Sequence, residues 1–275
     1  MKRMKTKDIF TSGIILLLFT ESFFSPLKAQ KLDVAYVPTP YAIVEEMLNI
    51  ANAGPGDYLI DLGSGDGRIV IAAAKRGAYG HGVELDPKRI REAELNAAKA
   101  GVSDKVLFLK ENIYETDFSR ATVITLYLFP TINIKLRPFL LEKMKPGTKI
   151  VSHDFSMDEW KPDKHIRIGN HSVFLWIIPA RVNGEWMWKT RGEIFIMNAQ
   201  QQFQETKLCL KSGTIALPVD NEYLSGKRIS FTAFNPVNGK RYLFSGAVDG
   251  NNITGFVQVR NGKDKTVEPW NAVLE

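Results

Sequence analysis

The chain has 275 residues, 44% of them apolar and 24% charged, which fits a globular protein and excludes a disordered, collagenous or mainly membrane-embedded one. A single cysteine, Cys209, excludes an intramolecular disulfide and a cysteine-built zinc site. The formal charge is +6, but residues 1–29 carry five basic and two acidic side chains, so the rest holds +3, a weak basis for a specific nucleic-acid partner.

Read from the N-terminus, Lys2, Arg3, Lys5 and Lys7 precede the apolar stretch 9–19, and Leu27-Lys28-Ala29 closes on a small residue. That pattern predicts a signal peptide or short signal anchor over 1–29, with cleavage after Ala29 and the body exported or associated with a membrane or the cell envelope. Thr39 is placed to cap a first helix, Pro40 suits its first turn, and Ile43, Val44, Met47, Leu48 and Ala51 recur at helical spacing. Tyr58–Leu62 reads as a buried strand running into glycines, and 68–76 as the helix behind them. Residues 81–85, 106–109, 123–128 and 149–152 read as further strands. Pro87–Ala100, ended by Gly101, and 134–144, with Pro138 in its early part, read as helices. Residues 173–178 and 185–189, joined through Asn183-Gly184, are expected as an antiparallel hairpin on the edge of the same sheet. Strands alternating with helices predict an α/β fold with a mostly parallel sheet over 30–190. Beyond it, Arg228–Phe234 and 253–260 alternate with period two, and Asn238-Gly239, Asp249-Gly250 and Asn261-Gly262 supply turns, which predicts a small all-β domain over 191–275.

The sharpest local feature is Asp61-Leu62-Gly63-Ser64-Gly65-Asp66-Gly67, between a strand and a helix. Glycines there let the backbone turn tightly and approach a ligand, and the helix start offers amides. Glu84 ends the next strand, 21 residues after Gly63, where an acid can accept from ribose hydroxyls. Strand, glycines, helix, strand and acid in that order point to an adenosine-type cofactor. Nicotinamide dinucleotides use the same architecture, but Asp61 and Asp66 would repel a pyrophosphate and suit an amino or sulfonium cation, which favours S-adenosylmethionine.

Asp61–Gly67, Gly82-Val83-Glu84-Leu85-Asp86 and Lys110-Glu111-Asn112 resemble three successive motifs of the class I S-adenosylmethionine-dependent methyltransferases, over about 40–190. With Tyr36-Val37-Pro38-Thr39-Pro40, the chain is similar to the lysine methyltransferases that modify the ATP synthase c subunit and to their bacterial relatives. The resemblance implies a Rossmann-like sheet of seven strands. It also implies that Asp61, Gly63 and Gly65, flanking Ser64, contact the methionine portion, Glu84 the ribose, and Asn112 with Ile113 the adenine. Most relatives have aspartate where this chain has Asn112, whose carbonyl can still accept from the adenine amino group.

Methyl transfer from a sulfonium is an in-line displacement that asks the protein to align donor and acceptor and to exclude water. Acceptor-binding residues are expected at the C-terminal ends of the strands. Tyr127 is the first candidate, as a wall or hydrogen-bond partner for an incoming amine, and His153 with Asp154 is a second, as an imidazole oriented by a carboxylate. Adjacent strand residues point to opposite faces, so His153 and Asp154 converge only if the strand has ended. Thr39 could bond the donor's carboxylate as well as cap its helix. None of His81, His153, His165 and His171 has the i, i+4 spacing of a helical metal pair, so no metal is expected. Trp160, Trp176, Trp186, Trp188 and Trp270 are expected to pack rather than to cage a methylated amine.

The leading expectation is a methyltransferase acting on a protein amine such as lysine, with a small-molecule acceptor as the other partner class. The alternatives are a cofactor-fold binding protein of the cell envelope without turnover, and a nicotinamide-dependent oxidoreductase. An exported transferase conflicts with a donor made inside cells, and the sequence leaves that conflict standing.

Overall fold

The computed structural model describes residues 37–275. The expected signal segment 1–29 and Tyr36 lie outside the described residues. Among those described, no helix is long and apolar enough to cross a membrane.

The first half alternates as its apolar runs indicate: α1 (Tyr41–Ile50), β1 (Tyr58–Leu62), α2 (Arg68–Lys75), β2 (Tyr79–Glu84), α3 (Pro87–Ala100), β3 (Val106–Lys110), β4 (Val123–Leu126), α4 (Pro130–Lys143) and β5 (Lys149–His153). With β6 (Lys164–Ile168) and β7 (His171–Ile177) the strands form one sheet in the order β3-β2-β1-β4-β5-β7-β6. All pairings are parallel except the two that β7 makes. The sheet is covered on both faces. Leu59, Val123 and Val151 pack with α1 and α2, while Ile60, Ile124 and Ile150 pack with α4. Each such side chain contributes roughly 1.5–3 kcal/mol on leaving water.

Local signals explain the helix ends. Asp86 accepts from the Lys88 amide at the start of α3, Pro87 fills the first position, and Gly101 closes the helix in the left-handed conformation at φ 68°. Thr39, expected as a cap, is not one: α1 has no side-chain cap, and Thr39 Oγ1 instead lies 3.2 Å from His153 Nδ1. Helix α4 begins at Pro130 rather than 134, because Pro130 sets the first turn, and so Pro138 falls in the helix interior.

The expected edge hairpin is corrected. The antiparallel edge is β6 with β7, turning through Gly169 and Asn170, and Asn183-Gly184 leads away from this sheet. β8 (Gly184–Thr190) pairs with β9 (Glu193–Gln202) and β16 (Asp264–Leu274) in a second sheet. The burial of β8 shows why: Trp186, Trp188 and Thr190 face a core while the residues between them face solvent, which suits a sheet with one wet face. The change of sheet therefore falls between Ile177 and Gly184, ahead of the boundary expected at 190.

The second sheet also holds β10 (Glu205–Ser212), β11 (Ile215–Leu217), β12 (Val219–Ser225), β13 (Arg228–Phe234), β14 (Arg241–Asp249) and β15 (Asn252–Asn261). Its nine strands run β11-β10-β9-β8-β16-β15-β14-β13-β12. The sheet curls until β10 lies against β12, where the Leu208 amide donates to Glu222 Oε1 at 2.9 Å. Trp186, Trp188, Phe195, Phe231, Phe244 and Trp270 fill its core. Trp160 and Trp176 lie in the core of the first sheet, so all five tryptophans pack.

Candidate functional site

β1 and β4 are neighbours although β2 and β3 come between them in sequence, and the strand order reverses there. Ligands of open α/β sheets bind outside the strand C-termini at such a reversal. The chain beyond β1 crosses this edge as Gly63–Gly67, with Gly63, Gly65 and Gly67 at φ 79°, 53° and 80°. The Gly63 and Ser64 amides both donate to Val83 O, and the Gly65 amide donates to Glu84 Oε2 at 3.0 Å, so the loop is laced to the end of β2. Glu84 Oε1 accepts from the amides of Leu85 and Asp86.

Two acids in this loop differ in role. Asp61 is buried at the end of β1 and accepts from Thr125 Oγ1 at 2.6 Å. Burial raises its carboxyl to about 7, against the pull of Thr125 and with help from the charges of Glu84 and Asp66. Asp66 is paired instead with Arg68 at 2.6 Å and accepts from the Arg68 amide, so its charge is balanced and it covers the helix start that the sequence offered to a ligand. Of the two loop acids, Asp66 therefore has a cation beside it in Arg68, and Asp61 has the Thr125 hydroxyl. Ser64 lies beneath the loop against Gly82, and its Oγ has no partner among the described residues. Asn112 and Ile113 follow β3 at the same sheet edge; the Asn112 carbonyl already accepts from the Tyr114 amide at 3.1 Å.

A second cluster forms beyond β4 and β5. Tyr127 is off the end of β4, its ring centroid 4.0 Å from that of His153 and 5.9 Å from that of Phe155. His153 is the last residue of β5, and Asp154 takes the left-handed conformation at φ 60°, which swings its carboxylate to 3.2 Å from His153 Nε2. The strand has ended, and both residues face one place. Burial lowers His153 to about 4. Asp154 would be raised by burial, but the Ser172 amide and His171 outweigh that and hold its carboxyl below the usual range. Thr39 stands on the far side of the His153 ring, and its carbonyl accepts from Arg68.

Sequence reasoning missed His171. It opens β7, and its Nδ1 lies 3.0 Å from His153 Nε2 and 2.9 Å from Asp154 Oδ2. Helical spacing could not find it, because the three groups come from the ends of antiparallel strands. Thr125 and Arg68, the partners of the two loop acids, were missed as well.

Residues 61–164 match the ANTKMT methyltransferase domain family. Over 151 residues the chain is 44% identical to a protein-lysine N-methyltransferase of Saccharolobus islandicus (strain REY15A), a match that covers 53% of this chain and 94% of that relative. The chain belongs to the family of that protein-lysine N-methyltransferase. It is also 29% identical over 151 residues to the ATP synthase c-subunit lysine N-methyltransferase of Xenopus laevis, covering 55% of this chain and 66% of that relative. A crystal structure of an RNA methyltransferase from Salinibacter ruber in complex with S-adenosyl-L-homocysteine is 50% identical, with a TM-score of 0.52, and the match covers 53% of this chain and 96% of that one.

The enzyme is thus an S-adenosylmethionine-dependent methyltransferase, and the nicotinamide reading falls. The site fits that cofactor. A buried Asp61 carboxyl whose side-chain donor among the described residues is Thr125 is a group that the cationic end of a zwitterionic sulfonium can satisfy.

Proposed function

We propose that this protein methyltransferase N-methylates lysine side chains. The observation that carries the reading is the cluster of the Tyr127, Phe155 and His153 rings and the Asp154 carboxylate beyond β4 and β5, one and two strands over from the Asp61 strand. An ammonium is drawn by a fixed carboxylate and by aromatic faces, and a lysine amine, with a pKa of about 10.4 in water, must be desolvated before it can attack. The 44% identity to a protein-lysine N-methyltransferase supports the same acceptor.

S-adenosylmethionine supplies a methyl group already activated on a sulfonium. In this reading Asp61, Gly63, Ser64 and Gly65 take its methionine portion, Glu84 its ribose hydroxyls, and Asn112 with Ile113 its adenine. Tyr127 walls the acceptor, and Thr39 holds His153 under the Tyr127 ring.

The test is the full chain with labelled S-adenosylmethionine and either lysine-containing protein or RNA. The RNA arm is included because the Salinibacter ruber relative is described as an RNA methyltransferase. Methyl-lysine in tryptic peptides is the expected result; label in RNA alone would overturn it. Asp154→Asn keeps a residue type that tolerates φ near 60° and removes the charge, and it should lower kcat/KM for the protein acceptor by at least about tenfold.

A further inference from the structure

His153 Nε2, Asp154 Oδ2 and His171 Nδ1 form a triangle with edges of 3.0, 2.9 and 3.2 Å. Hydrogen bonds alone do not satisfy it. Three edges need three protons, the ionised carboxylate brings none, and each of the two ring nitrogens brings at most one. At least one edge therefore sets two acceptors or two donors against each other.

We propose that these three atoms are the ligands of a divalent first-row transition ion of the zinc type. Metal–nitrogen and metal–oxygen bonds of about 2.0–2.2 Å in a tetrahedral site place neighbouring ligand atoms roughly 3.3–3.6 Å apart, so the triangle takes an ion once its edges open by a few tenths of an ångström. Two imidazoles and a carboxylate suit zinc and its neighbours, whereas calcium and magnesium ask for oxygen.

The surroundings are those of a built site. His153 is fully buried, and its other ring nitrogen faces Thr39 Oγ1 at 3.2 Å. The second oxygen of Asp154 accepts from the Ser172 amide at 2.8 Å, which fixes the carboxylate. Such outer contacts orient ligands and sustain affinity. The His171 side chain is 37% exposed, which leaves an entry path and open coordination positions.

Calorimetric titration of the full chain with zinc, without donor or acceptor, tests the site apart from the lysine reading. About one equivalent should bind, and His171→Ala or Asp154→Asn should weaken it by at least about a hundredfold. His165→Ala, outside the triangle, should leave the affinity unchanged, and zinc should raise the thermal midpoint of the parent but not of His171→Ala. No binding, or binding that survives both ligand substitutions, overturns the proposal. The ion and an ammonium would draw on the same carboxylate, so added zinc should also slow methyl transfer. Zinc bound without that slowing would sustain the metal site and remove Asp154 from the acceptor's binding.

Discussion

Asp61 lies under the glycine loop with the Thr125 hydroxyl as donor and its carboxyl raised to about 7. A cationic ligand pairs with the ionised form, so its affinity should fall about tenfold for each pH unit below 7 and level off above it, as read by calorimetry with S-adenosylmethionine. The stability of the cofactor-free protein runs the other way. The folded carboxyl binds its proton more tightly than the unfolded one, which titrates near 3.9, so stability is present at low pH and is lost as pH rises toward 7. Asp61→Asn should therefore raise the melting temperature at pH 8 by several degrees, on the order of a few kcal/mol, with little change at pH 4. The same variant should lose most of its cofactor affinity. A group that weakens the empty protein and strengthens the bound one belongs to the ligand.

Elements were legible in the sequence where one short signal decides them. Pro87–Ala100 is bounded by Asp86 and Gly101, and the loop of three glycines is written out in order. What could not be read depends on partners far along the chain. Whether β8 joins the first sheet or the second turns on β16, which follows it by some seventy residues. The triangle of His153, Asp154 and His171 requires both the register of β5 against β7 and the positive φ of Asp154. Asp66 reads in the sequence as half of an anion-repelling pair, but the fold sets Arg68 against it.

The glycine loop offers a test at the scale of an element. At Gly67, φ is 80° and an added Cβ would stand 2.6 Å from the Phe108 ring and 2.9 Å from Ala93. At Gly101, φ is 68° and nothing lies within 4 Å. Gly101→Ala should cost about 1–2 kcal/mol, the conformational penalty alone. Gly67→Ala adds overpacking and should cost about 2–5 kcal/mol, visible as a clearly larger fall in melting temperature. Equal losses at the two sites would mean that the packing of the loop on β3 matters little.

At the scale of the whole molecule, the N-terminal pattern and the cofactor pull in opposite directions, since the donor is made inside cells. We propose that the signal is used and that the mature chain begins at Gln30. Mass measurement of the protein from fractionated cells should find that terminus outside the cytoplasm; an intact Met1 in the cytosolic fraction would refute it.

The two sheets meet at a residue that bears backbone strain. Phe203, at the tip between β9 and β10, has φ 56°, a conformation bulky side chains avoid, and it stacks on Trp160 with ring centroids 5.6 Å apart. The Arg137 guanidinium of α4 lies over the Phe203 ring at 5.2 Å, and the neighbouring Gln204 accepts from Trp160 Nε1 at 2.7 Å. Farther along, the Ala180 amide donates to Gly226 O at 2.7 Å. A strained aromatic that the second sheet inserts into the core of the first is worth keeping only if the two cores depend on each other. The parent should then unfold in a single calorimetric transition. Phe203→Ala loses packing of about 2–3 kcal/mol, softened by relief of strain, and should split or broaden that transition while leaving cofactor affinity within about twofold, because the ring packs on Trp160 and Arg137 and not on a residue of the Asp61 loop. A single sharp transition at the parent's temperature would show that the sheets are joined elsewhere.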